Sequence, residues 1–317
     1  MPGIATHHVF GCELYRRLDG VIGVSPASKQ AFLLGNLGPD PFFHLVAAPA
    51  LLRFSRVGQR MHASDPERLL DAVHRHAVVD AASEADGASS AYALGFLCHY
   101  LLDSTIHPLV YAQQHAIADG GVEGLPFEGP WLQRSVHATI ETEIDEYLLT
   151  THLGATAATY PPHEEMLRCS DMALGAISRR LSGALNDTYG GLQAPPGLFA
   201  VAVERNRSVQ RLLDSKSGGL RARFDFLSPF GYAVSYLRAL SPSGNPRVRT
   251  DFSNDDHIAW PHPFEPGATV RESFDELYGR AFDRALAAVP AFADHAFCGA
   301  DCRELTRGVN FLGRRVG

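Results

Sequence analysis

An all-α fold, as a single multi-helix domain over residues 1–317, is what the sequence predicts. Apolar residues recur at three- and four-residue spacing through most of the chain, the repeat of a helix with one buried face. No segment sustains the period-two alternation of a half-buried strand. Clusters of Gly, Pro, Asn and Ser separate the periodic segments, as loops do between helices.

Taken in order, Ala5 to Leu18 carries apolar residues at helical spacing. Pro66 to Ala82 starts after Ser64-Asp65, and Pro66 suits a first turn because its missing N–H would be unpaired there anyway. Ser89 to Leu102 is a strongly apolar run of helix formers, and Pro108 is expected to close the segment after it. Pro130 to Leu149 alternates apolar and acidic faces. Further helices are expected over Glu164 to Leu185, Pro196 to Leu213, Leu220 to Leu240 and Val270 to Ala288. Gly120 to Gly129, Asn186 to Gly197 and Ser241 to Gly267 read as loops, the last long enough to pack on the surface or border a site. No internal repeat, low-complexity tract or dividing linker is visible.

Composition narrows the function. At 45% hydrophobic and 20% charged, the chain can bury a large core and is not disordered. The net charge of −7 weighs against a protein that grips nucleic acid mainly through its phosphates, without ruling on a metal-dependent nuclease. The most apolar long stretch, Ala31 to Leu52, holds Asn36, Pro39, Asp40, Pro41 and His44, which a membrane span would not place at its centre. The first residues lack the basic and apolar regions of a secretion signal, so the cytoplasm is the expected compartment. The cysteines, Cys12, Cys98, Cys169, Cys298 and Cys302, are odd in number and scattered, unlike a disulfide framework. Cys298 and Cys302 lack the partner pair that a zinc knuckle needs.

Chemistry concentrates in the histidines. Of 15, 11 lie within residues 1–152, which points to a site built mainly from residues 1–150. In CHYLLDSTIHP, His99, Asp103 and His107 are spaced four apart and share one face of an apolar helix. Such a row is costly to bury unpaired; metal ligation removes the cost, and a hydrogen-bonded or exposed polar stripe is the plainer alternative. In HATIETEIDEY, His137 and Glu141 repeat the spacing, as two metal ligands on one helix or as a surface pair. Glu143, Asp145 and Glu146 fall on other faces and are expected to be solvated. Asp40 in GNLGPDPFF either fixes a turn or reaches into a site. His62, after Met61, and the pair His7-His8 are weak signals alone.

In this order, the segments ATHHVFG, GNLGPDPFF, MH, LGFLCHYLLDSTIHP and HATIETEID resemble the zinc-dependent phospholipase C family in a short bacterial form without a signal peptide. DFSNDDHIAWPHP and SFDELYGRAFDRA are similar to the family's C-terminal part, so the likeness spans most of the chain. The superfamily is shared with single-strand-specific zinc nucleases. The resemblance implies a helical hydrolase holding two to three zinc ions. His62 and His99 would hold the first, with Asp40 as ligand or water-orienting base. Asp103 would bridge the first and third. His107, His137 and Glu141 would hold the second, and His7 the third. In the secreted enzymes the N-terminal tryptophan completes the third site; here the chain starts Met1-Pro2, and the Pro2 amine or His8 is the candidate replacement. Nitrogen and oxygen donors without thiolate also suit iron or manganese.

The expected activity is hydrolysis of a small-molecule or lipid phosphodiester by a zinc-bound hydroxide, phospholipase C-like, with Asp40 orienting the water. The alternatives are a single-strand nuclease-like phosphodiesterase, for which Tyr100, Trp131 and Trp260 are candidate stacking residues, and a metal-cluster protein turned to a non-hydrolytic reaction. His74, His76 and His115 are expected to be exposed bystanders.

Overall fold

A computed structural model describes residues 3–80, 87–120, 130–157, 159–213 and 251–316. The expected helix Leu220 to Leu240, most of the loop Gly120 to Gly129, and Met1-Pro2 lie outside the described residues. What is described is all-α, with one small two-stranded ribbon.

The helices are α1 (Ile4–Ile22), α2 (Pro26–Gly35), α3 (Val57–Ala63), α4 (Pro66–His74), α5 (Ala88–Gly120), α6 (Pro130–His152), α7 (Pro162–Met166), α8 (Asp171–Thr188), α9 (Leu198–Leu213), α10 (Phe274–Phe292) and α11 (Gly299–Thr306). Strands β1 (Trp260–Pro261) and β2 (Thr269–Val270) pair antiparallel, Trp260 opposite Val270. Two 3₁₀ segments, Asp40–Ala47 and Pro49–Phe54, fill the stretch between α2 and α3.

Several boundaries differ from expectation for local reasons. The helix expected to run to Ala82 leaves α geometry at Arg75, where a π-helical turn covers Arg75–Val79. The segment expected as one helix from Glu164 divides: α7 ends at Met166, and Ser170 starts α8 by accepting from the Ala173 N–H. Pro108 does not close its segment. It lies inside the 33-residue α5, which tolerates the lost backbone bond because packing on both faces holds it: Leu101, Leu102, Ile106, Leu109 and Val110 are all buried. Ser273 caps α10 through a reciprocal box with Glu276, which stabilises such an end by about 1 kcal/mol.

The crossing of α2 and α5 sets the frame for the site. A Cβ on Gly95 would run into the Phe32 carbonyl, and one on Gly35 into the carbonyl of Tyr92. The two backbones therefore touch where both residues lack side chains. Beyond the crossing, Gly38 has φ +49°, and its Cα lies against the His99 ring, with no room for a side chain. The buried core gathers around α5: Phe10 and Leu14 from α1, Phe32 from α2, Ile140 and Ile144 from α6, and Phe274 and Phe292 from α10. Among the described residues, no helix is long and apolar enough to cross a membrane.

Candidate metal centre

The residues nominated from sequence converge at the middle of α5. Asp103 is fully buried, and imidazoles from three helices, its own among them, surround its carboxylate. His99 Nε2, from the same helix, lies 3.1 Å from Oδ2; His7 Nε2, from α1, 3.3 Å from Oδ1; and His62 Nε2, from α3, 3.5 Å from Oδ2. Asp40, at the start of the first 3₁₀ segment, places Oδ1 3.4 Å from His62 Nε2 and 3.6 Å from His99 Nε2. One turn further along α5, His107 faces His137 of α6, the rings 5.8 Å apart and near parallel. His137 Nε2 is 2.8 Å from Glu141 Oε1.

Three sets of donor atoms follow: His7, Asp40 and His99; His62, His99 and Asp103; and His107, His137 and Glu141. Within each set, one donor from every residue lies within 4.8 Å of the others.

The opposite nitrogen of the rings decides their chemistry. His62 Nδ1 donates to the Gly58 carbonyl at 2.8 Å, His99 Nδ1 to the Asn36 carbonyl at 3.0 Å, and His107 Nδ1 to the Asp103 carbonyl at 3.0 Å. A carbonyl can only accept, so each Nδ1 carries the proton and each neutral ring presents a bare Nε2 lone pair. His137 Nδ1 is held the same way by Gln114 Oε1 at 2.7 Å. The Nε2 atoms of His62 and His99 thus aim lone pairs at carboxylate oxygens in a dry interior. None of His7 Nε2, His62 Nε2, His99 Nε2, Asp40 Oδ1 and either Asp103 oxygen has a hydrogen-bond partner. Acceptors facing acceptors need a cation between them, and outward carbonyls fixing the rings are the arrangement seen around metal-binding histidines. The donor set fits zinc.

Electrostatics agree with that reading. Burial pushes the Asp103 pKa upward, but His99, His107, His62 and His7 outweigh it and hold the carboxyl well below the usual range. Burial lowers the pKa of His7, and of His107 and His137 far more, which keeps those rings neutral. His62 is the exception. Burial lowers its pKa, yet Asp103 and Asp40 override this and raise it to about 9. Where the centre holds no other cation, His62 takes a proton to meet the two acids.

Around the donors, residues 309–311 close one wall. Tyr100 donates to the Val309 carbonyl at 2.8 Å, and Asn310 Nδ2 donates to the Ala63 carbonyl at 2.9 Å. The Phe311 ring then packs on Tyr100 (4.9 Å), His62 (5.5 Å) and His99 (5.9 Å). On the His137 side, Tyr111 lies 4.9 Å from the imidazole with Phe264 edge-on to it at 5.4 Å.

Several sequence expectations need correction. His8 does not face the centre: its ring meets Tyr160, Glu165 and Cys12 instead, because adjacent helical residues point about 100° apart. Asp145 is not solvated. It is half-buried and accepts from the Ala5 and Thr6 N–H groups and the Thr6 hydroxyl, which fixes the start of α1 against α6. His74 is buried, with Nε2 bonded to the Asp294 carbonyl at 3.0 Å; His76 is half-buried beside Asp187, and His115 is exposed as expected. Tyr100 and Trp260 are core residues rather than stacking platforms, and the Trp131 side chain lies outside the described residues. Tyr111 is the aromatic beside His107 and His137, with Phe264 packed on it. Sequence reasoning also missed Asn36, Gly58 and Gln114, which orient the rings. Gln114 was detectable as the residue seven positions after His107, on the same face of a helix.

A family model described as zinc dependent phospholipase C matches residues 6–185. That span contains every proposed donor and ends before the DFSNDDHIAWPHP loop. Neither the curated proteins nor the solved structures compared with the chain gave a match.

Proposed function

The chain belongs to the zinc dependent phospholipase C family, and from that premise we propose that it hydrolyses a phosphodiester at the histidine–carboxylate centre on α5. The observation that carries the proposal is the buried Asp103 carboxylate facing the Nε2 atoms of His99 and His62, whose Nδ1 protons are committed to the backbone carbonyls of Asn36 and Gly58. His62, His99 and Asp40 would hold one zinc ion, and His107, His137 and Glu141 a second. His7 would hold a third, with Asp103 shared between ions because a carboxylate has two oxygens and an imidazole one free nitrogen. Bound zinc would supply an acidified water and positive charge to offset the negative charge that develops on a phosphoryl group.

The residues divide the remaining work. Asp40 is the outermost of the group around His99, with a side chain 13% exposed against 0% for His99 and Asp103. That position suits it to accept a proton from an incoming water and to aim the water at phosphorus. Asn36, Gly58 and Gln114 hold the imidazoles in the tautomer that leaves Nε2 bare. Phe311 excludes water from the His62–His99 side, which strengthens every charge interaction there. Tyr111 and Phe264 offer an aromatic edge to whatever group the phosphate carries.

Zinc-loaded protein is expected to release phosphate-bearing products from phosphatidylcholine or from a simple aryl phosphodiester, and to lose activity with chelator. Turnover of single-stranded DNA alone would move the protein to the nuclease reading, for which the Tyr111–Phe264 pair is the specific support. Zinc bound with no turnover of any of the three would overturn hydrolysis.

A further inference from the structure

Opposite the centre, α1 carries a second convergence of donors. His8 and Cys12 are four apart and share one face of the helix. His8 Nε2 lies 3.0 Å from Glu165 Oε2 of α7 and 3.5 Å from Cys12 Sγ, and the three donor atoms all lie within 4.8 Å of one another. We propose that His8, Cys12 and Glu165 form a separate site for one thiophilic divalent ion of the zinc class, with its fourth position open to water.

Three features support a metal site over other uses of the same residues. The geometry fits: bonds of about 2.0 Å to nitrogen and oxygen and 2.3 Å to sulfur put tetrahedral donor atoms about 3.3–3.6 Å apart, close to the observed 3.0 and 3.5 Å. The outer contacts are in place. The Tyr160 hydroxyl lies 2.7 Å from His8 Nδ1, and Lys29 Nζ 2.6 Å from Glu165 Oε1, leaving Nε2 and Oε2 to point inward. Finally, a cysteine–histidine–acid relay is ruled out by connectivity. Such a relay uses opposite ring nitrogens for the thiol and the acid, whereas here both face Nε2.

Charge is consistent too. Burial and the Glu165 carboxylate push the Cys12 thiol up to about 11, so it is no nucleophile at neutral pH. A dication would draw off its proton to solvent, and the thiolate, the Glu165 carboxylate and the ion together sum to zero. The Glu165 side chain is 40% exposed, which gives an ion a route in.

The centre on α5 has only nitrogen and oxygen donors, so a thiolate-to-cobalt charge-transfer band reports the second site alone. Full-length protein loaded with cobalt(II) is expected to show that band. Cys12→Ser should abolish it and lower bound cobalt by about one equivalent; Cys298→Ser, which changes an exposed thiol, should not. Glu165→Gln changes a side chain at the surface and should fold; it should weaken cobalt binding at the band by at least about tenfold. Asp103→Asn should lose cobalt from the centre and keep the band. A wild-type protein without the band, or a band that survives Cys12→Ser, overturns the second site. A band with no other bound cobalt would leave it standing and remove the centre instead.

Discussion

The carbonyl of Asn36 receives the His99 Nδ1 proton at 3.0 Å, across 63 positions of sequence. The bond exists because α2 and α5 touch backbone to backbone at Gly35 and Gly95, one turn before the imidazole. A methyl group at Gly95 would meet the Phe32 carbonyl and lever α2 outward. Gly95→Ala should therefore cost about 1–3 kcal/mol in stability and also reduce zinc affinity, since His99 loses its orienting carbonyl. Denaturant melts paired with chelator competition would check both. A variant with weakened folding and unaltered zinc affinity would show that Asn36 does not orient the ring.

Asp103 and Asp40 should respond differently to the same change. Asp103→Asn removes the charge that four imidazoles share and should lower bound zinc by about one ion or more per chain, with several kcal/mol lost in transition-state stabilisation. Asp40→Asn should keep most metal while turnover falls. Metal analysis and initial rates on both variants decide; equal metal loss would make Asp40 an essential ligand, and full occupancy in Asp103→Asn would remove its bridging role.

Gln114 holds the back of His137 through Oε1 at 2.7 Å. Gln114→Leu keeps the volume and removes the acceptor. Zinc affinity at the His107–His137–Glu141 set should drop about 10–100-fold with the melting curve little changed. Stepwise removal of metal by a graded chelator series, in which one ion leaves earlier than in wild type, is the measurement.

The buried His74 is a stability residue, unlike the exposed His115. His74→Ala should cost about 2–3 kcal/mol, through the empty volume beside Phe292 and Phe297 and the lost hydrogen bond to the Asp294 carbonyl. Metal content should stay at wild-type level. His115→Ala should change neither quantity, and thermal melts with elemental analysis on both would settle the contrast.

His44 sets a pH dependence. Burial lowers its pKa from 6.5 to about 4 against the opposing pull of Asp40. Below pH 6.5 the unfolded chain takes up this proton while the folded chain resists it. The stability contribution is therefore full above about 6.5 and drains away as pH falls to about 4, by at most about 3 kcal/mol. His44→Gln should flatten that limb of the stability curve. A wild-type and a variant curve that run parallel from pH 7 to pH 4 would contradict it.

The α5 row of donors was legible in the sequence because helical spacing is strict: His99, Asp103 and His107 share a face whatever else the chain does, whereas His7, Asp40 and His62 were assigned only through the family resemblance. The all-α class was legible for the same reason. What periodicity cannot carry is the partner side. Asn36 and Gly58 act through backbone carbonyls, which every residue has, so no residue type marks them. Asp145 looked like one acid among several on α6 until the start of α1 was seen to land on it. Pro108 reads as a stop signal because a lone helix would end there, and only the packing around α5 carries the helix past it. His8 and His7 look equivalent in sequence, and the turn of α1 sends them to different faces.

Phe311, set on the rings of His62 and His99, ties the centre to the order in which the chain is made. Every proposed ligand of that centre has emerged from the ribosome once Glu141 is out, some 170 residues before Phe311. Until then the imidazoles lack the ring that packs on His62 and His99. A chain cut before residue 309 would keep every donor of the centre and lose that wall, so the site's chemistry and its enclosure are separable by truncation.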